Sequence, residues 1–186
     1  MLLALVTGLL AVALLYLVAL GAGRLDSRIG RMRDGFRPGT RIPPFNVIDS
    51  HGVQHSCPSG TSHQILLFVH HAVRSFPTVT TAIEAIRDRD LRLEVLLFTI
   101  SAANITQAAL DGIGLSVPVI VVQERFYTRY RVRQMPYCII ADADGRLLSS
   151  GNASSGDHLL TLWRRACAQE KDHSSIAEFA PTASAS

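Results

Sequence analysis

Charge is absent from Leu2 to Ala22, and every later part of the chain is patterned differently. As a helix rising 1.5 Å per residue, that run spans about 30 Å, the thickness of a bilayer hydrocarbon core. It has no polar face, so a buried helix of a soluble domain is a poor reading. A cleaved signal peptide is the stronger rival, since Ala19-Leu20-Gly21 offers small residues at cleavage spacing. The run is longer than a usual signal core, however, and no basic residue precedes it. We therefore read residues 2–22 as a transmembrane anchor. Residues 23–41 are polar, Gly-containing and Arg-rich and read as a linker, closed by Pro43-Pro44.

Beyond the linker the period changes. Phe45–Asp49 alternates as a short strand, Ser50-His51-Gly52 reads as a turn, and Val53–Cys57 completes a hairpin. Ile65–Val69 is a continuous apolar run, the signature of a central strand covered on both faces. Val73, Phe76, Val79, Ile83 and Ile86 recur at three- and four-residue steps and predict an amphipathic helix. Leu93–Ile100 is a second buried strand, and Ala103–Leu110 a short helix stopped by Gly112 and Gly114. Val117–Val122 is a shorter strand, and Glu124–Val132 a short helix or loop. Tyr137–Ala141 and Arg146–Ser150 form a hairpin around Asp144-Gly145. Leu159, Leu160, Leu162, Trp163 and Ala166 mark a closing helix. This order implies an α/β domain over 42–170, a mixed sheet with helices on both faces. Residues 171–186 lack apolar periodicity and are expected to be disordered.

Composition narrows the picture only a little. The chain has 186 residues and a net charge of +3, too small to imply nucleic acid. Lys171 is its single lysine among 18 basic residues. The three cysteines, Cys57, Cys138 and Cys167, are far apart in sequence, so no Cys-x-x-Cys motif or zinc knuckle exists.

Two junctions carry the chemistry. The apolar strand ends in His70-His71-Ala72-Val73-Arg74-Ser75-Phe76-Pro77. Later, Met135-Pro136-Tyr137-Cys138-Ile139-Ile140 leads into Asp142-Ala143-Asp144-Gly145. With the Asp49-Ser50-His51-Gly52 hairpin, this order resembles the membrane-anchored thioredoxin-like proteins that mature methylamine dehydrogenase or act in cytochrome maturation. The resemblance covers about residues 40–170. It implies a thioredoxin-like fold, with a cis proline at Pro136 beside a catalytic Cys-x-x-Cys pair at the end of the first central strand. Met135 is then the residue whose backbone meets an extended substrate. No cysteine stands at that strand end. Without gaps the pair falls on Val73 and Phe76; with a short deletion it is missing altogether, and Arg74–Val79 matches the helix that follows. Either way the two-thiol cycle, an attacking thiolate resolved by a second thiol, has no residues to run on there.

Other chemistry at the junction has less support. His70 and His71 are adjacent on a strand end and point to opposite faces, so they do not share a metal, and no metal or cofactor is expected. Arg74 at a helix start could hold an anion with free amides. Cys138 lies inside an apolar strand, and Cys57 sits in a polar turn and is expected to be exposed; these are the two candidates for a single reactive thiol. Asp142–Gly145 lacks the bidentate acid of a calcium loop and reads as a turn. The basic and aromatic stretch Arg125–Arg131 corresponds to aromatics that pack onto the sheet in the resembled proteins, so no nucleic-acid partner is expected.

These observations set the expectation: a membrane-anchored, redox-inactive binding module that assists assembly or maturation of a membrane or extracytoplasmic protein. Its partner groove comprises His71, Val73, Arg74, Phe76, Met135, Pro136 and Tyr137. The alternatives are a thiol-dependent oxidoreductase or peroxidase using Cys138 or Cys57, and a structural subunit of a membrane complex. Topology is contested. Arg24, Arg28, Arg31, Arg33, Arg37 and Arg41 outnumber Asp26 and Asp34 after the anchor, which favours a cytoplasmic domain. The resemblance places the domain outside, and we take that as the expectation.

Overall fold

In a computed structural model of the chain, residues 35–70, 76–90 and 92–178 are described. The expected anchor, residues 2–22, lies outside the described residues. Among the described residues no helix is long and apolar enough to cross a membrane.

The elements in chain order are β1 (Phe45–Ile48), β2 (Gln54–Cys57), β3 (Gln64–Val69), α1 (Phe76–Arg87), β4 (Glu94–Thr99), α2 (Ala103–Asp111), β5 (Val119–Val121), α3 (Glu124–Arg129), β6 (Tyr137–Ala141), β7 (Leu147–Asn152) and α4 (Gly156–Glu178). Five strands form one mixed sheet in the order β5-β4-β3-β6-β7. β3 runs parallel to β4 and antiparallel to β6, with Phe68 opposite both Phe98 and Tyr137. The continuous apolar run of β3 thus has its expected cause: the strand is central and buried along its whole length.

Successive residues on a strand point to opposite faces, and the sheet divides its core accordingly. Ile65, Leu67, Val69, Cys138 and Ile140 face α1 and α4, meeting Ile83, Ile86, Leu159 and Trp163. Leu66, Phe68, Leu96, Phe98 and Ile139 face the other way, toward Phe45, Tyr127 and Tyr130. That second layer is mostly aromatic: Phe98 stacks on Phe68 and Phe126 with centroids 5.2 and 5.0 Å apart, and Phe45 meets it edge-on at 5.5 Å.

The β1–β2 hairpin forms as the Asp-x-x-Gly pattern predicts. Asp49 Oδ1 accepts the backbone N–H of His51 at 2.8 Å and of Val53 at 2.9 Å, and Gly52 supplies the positive φ the turn needs.

Two boundaries differ from the sequence reading. Residues 35–41 belong to the domain rather than to the linker. Gly39 N–H donates to the Leu147 carbonyl, Leu147 N–H donates to the Thr40 carbonyl, and Arg41 bridges Arg146. Linker composition did not reveal this because the contacts are backbone contacts, blind to side-chain polarity. The closing helix also runs through Glu178, beyond the expected boundary at residue 170. Ala168, Gln169, Glu170 and Lys171 are strong helix formers, and no glycine or proline intervenes before Pro181. Propensity continues the helix where apolar periodicity has stopped.

Candidate functional site

The parallel strands β3 and β4 end, and β6 begins, at one rim of the sheet. The Met135–Pro136 peptide bond at that rim is cis, as the resemblance implies. Pro136 precedes the first residue of β6, so its missing N–H removes no bond from the central ladder. Met135 is 37 % exposed. Ile100, just past β4, and Val121, the last residue of β5, are also exposed apolar residues at this end. A second cis bond, Cys57–Pro58, lies in the loop between β2 and β3, and no sequence signal pointed to it.

Of the expected groove residues, Met135 and Pro136 stand on the rim. His71, Val73 and Arg74 lie outside the described residues, and Phe76 is the first residue of α1. Tyr137 does not belong to the groove. It is buried, its ring lies in the aromatic layer, and its hydroxyl is 3.2 Å from Ser150 Oγ. The cause is strand alternation: with Met135 and Pro136 on the loop, the first residue of β6 faces Phe68 and the core. Gly35, at positive φ, leaves room for the Tyr137 hydroxyl; a Cβ there would collide with it.

The strand ends are held from below by Tyr127, one of the aromatics of the Arg125–Arg131 stretch. Tyr127 is buried on α3, and its hydroxyl lies 2.7 Å from the Val69 carbonyl and 2.8 Å from the Phe98 carbonyl. One phenol thereby ties the ends of β3 and β4 at the rim. Burial pushes its pKa above the ordinary tyrosine range, so it stays a donor. Tyr130, beside it, donates to the Pro43 carbonyl. We expect Tyr127→Phe to cost about 1–3 kcal/mol, because the carbonyls lose a donor in a site closed to water. Chemical denaturation would show this as a lower midpoint at unchanged slope.

The surroundings of all three thiols disfavour the thiolate. Cys138 is fully buried on β6, on the sheet face that α1 and α4 cover, and burial raises its pKa. Cys57 is 2 % exposed, which corrects the expectation of an exposed turn cysteine. It packs under Pro58 and Gly145 as a small hydrophobe. Burial, with the charges of Glu94 and Asp142, pushes its thiol up to about 12. Cys167 is half-buried and also raised, by burial and then by Glu170. All three shifts oppose what a thiolate nucleophile needs. Among the described residues no group of histidine, cysteine or carboxylate side chains is arranged to hold a metal.

This architecture is the thioredoxin-like α/β fold. The chain superposes on the thioredoxin domain of a thiol-disulfide oxidoreductase from Bacteroides vulgatus with a TM-score of 0.59 at 14% identity, covering 70% of this chain and 97% of that one. A Chlorobium tepidum protein assigned as the thiol:disulfide interchange protein DsbE gives 0.62 at 14% identity, over 72% and 98%. A thiol peroxidase from Chromobacterium violaceum gives 0.54 at 18% identity, over 73% and 90%. At such identities the likeness is one of fold. No family model and no curated protein matches the sequence.

Proposed function

We propose that this chain is a redox-inactive thioredoxin-like domain, tethered to a membrane through residues 2–22, that binds a partner chain at the rim carrying Met135 and Pro136. The observation that carries the reading is chemical. No cysteine stands between Val69 and Pro77, and the three thiols elsewhere have pKa values raised by burial. The rim itself is kept: a cis proline loop, an exposed Met135, and exposed Ile100 and Val121 at the same end of the sheet. Exposed apolar side chains around a rim suit an extended protein segment better than a small polar ligand. In this reading the domain lies on the extracytoplasmic side and assists assembly or maturation of its partner.

Two measurements test it. In an insulin-reduction assay with dithiothreitol the chain should give no rate above background, and replacing all three cysteines with serine should change nothing. A cysteine-dependent rate would instead favour an oxidoreductase. A photo-crosslinking residue placed at Met135 in the full chain should capture a protein in native membranes. The same probe at Asp144, exposed in the β6–β7 turn at the opposite end of the sheet, should not; equal capture at both positions would remove the rim from the proposal.

A further inference from the structure

The end of the sheet remote from the proline loop holds a histidine between two carboxylates. His55, on β2, places Nδ1 2.7 Å from Glu94 Oε1 and Nε2 3.1 Å from Asp49 Oδ2. Both acids are already committed as acceptors. Asp49 Oδ1 takes the His51 and Val53 amides, and Glu94 Oε2 takes Gln64 Nε2 at 2.6 Å. Outweighing burial, the donors aimed at Asp49 favour its ionised form and hold its pKa below the ordinary value. A neutral imidazole has one N–H and one lone pair, so it satisfies one acid and turns a lone pair toward the other. Only the imidazolium satisfies both, and the cluster is complete only with that proton in place.

The three residues lie in three places: Asp49 in the hairpin turn, His55 on β2, and Glu94 at the start of β4. The proton therefore joins the hairpin to the main sheet. At its other end the hairpin is anchored by buried Phe45 and Cys57. At the turn end, the Ser50 N–H donates to the Val119 carbonyl of the edge strand β5 at 2.9 Å. Ile48 and Val53, which flank the turn, are 66 % and 53 % exposed and add little packing to hold it.

We propose that His55 is a proton-operated latch: as an imidazolium it pins the turn end of the β1–β2 hairpin against β4, and on losing that proton the turn end lifts and uncovers the outer edge of β5. The groups facing the ring are Asp49 from the turn and Glu94 from β4, with Gln64 of β3 behind Glu94. Cys57 on the same strand feels Glu94 but is neutral across the relevant range. Arg87 and Arg92 line a cavity of about 450 Å³ beside Glu94, and neither forms an ion pair with it. Burial alone would lower the histidine pKa; the hydrogen bonds and charges of Glu94 and Asp49 outweigh it and leave the value raised. The latch is thus fully closed below the ordinary histidine value of 6.5 and weakens as pH rises toward the raised value.

Amide hydrogen exchange on the full chain, followed by NMR, tests this together with the imidazole titration. Protection at the Ser50 and Val53 amides should fall by up to about tenfold per pH unit between 6.5 and the raised pKa, and be flat on either side, after correction for intrinsic exchange. Core amides such as Leu66 should not follow. His55→Gln should remove the pH dependence at Ser50 and Val53. His63→Gln should leave it, because His63 bridges Asp90 and Glu170 of α4 at 2.8 and 2.9 Å and does not touch the hairpin. A His55 ring that titrates at or below 6.5 in the unmodified chain overturns the latch, as does a Val53 dependence that survives His55→Gln.

Discussion

Phe98→Ala is expected to lower stability by about 3–5 kcal/mol, the range for deleting a buried aromatic ring. Phe98 is wholly buried on β4 and touches three other rings, those of Phe45, Phe68 and Phe126. The loss therefore combines transfer free energy, a cavity, and ring pairs worth about 0.5–1.5 kcal/mol beyond their area. The cavity cannot collapse easily, because its walls are strands on one side and a helix pinned by Tyr127 on the other. For a domain of this size each kcal/mol moves the melting temperature by roughly 2–4 °C, so the midpoint should fall by about 6–20 °C. Phe98→Leu should cost less than half as much, since most of the volume remains. Thermal melts that place both variants within about 2 °C of the parent would mean that the aromatic layer is not close-packed.

The second large effect concerns backbone, not side chain. Gly156 opens α4 against α1, and its N–H donates to Thr78 Oγ1 at 3.2 Å. A Cβ at 156 would overlap the Thr78 carbonyl oxygen and sit 2.9 Å from the carbonyl carbon. A clash with a flexible side-chain tip is relieved by a rotamer change. A clash with backbone inside a helix forces the two helices apart. We expect Gly156→Ala to cost about 3 kcal/mol, the upper part of the range for overpacking. Gly52→Ala is the informative contrast, because a Cβ there meets nothing and only the positive φ opposes it. That variant should lose about 1 kcal/mol. Denaturant midpoints in the reverse order would place α4 farther from α1 than Gly156 indicates.

Periodicity makes much of this fold legible. Ile65–Val69 and Leu93–Ile100 read as central strands because both faces of each are covered, and both are buried in the sheet. The Asp49–Gly52 turn is legible for a local reason, since it depends on residues within a few positions, whereas the cis bond before Pro136 is expected from the resemblance and not from the local residues. The misplacement of Tyr137 shows where periodicity stops. Both faces of β6 are apolar, so alternation has no polar marker to say which residue points at the rim. His55–Glu94 and His63–Glu170 are separated by 39 and 107 positions and carry no local signature at all. Tyr127 was hidden for a related reason, since its hydroxyl serves carbonyls 58 and 29 positions away. The candidate site was therefore legible as an absence of thiols and as a proline loop, while the groups that brace it belong to tertiary structure.

The strand order has one more consequence, for how the chain is made. β3 gains its parallel neighbour β4 soon after synthesis, but its other edge pairs with β6, where Phe68 meets Tyr137. At ribosomal rates of roughly 5–20 residues per second, that edge waits several seconds for its partner. During that interval the most apolar strand of the domain presents open backbone donors and acceptors to its surroundings. The nascent chain is thus vulnerable to wrong pairing at a strand that in the folded domain is buried along its whole length.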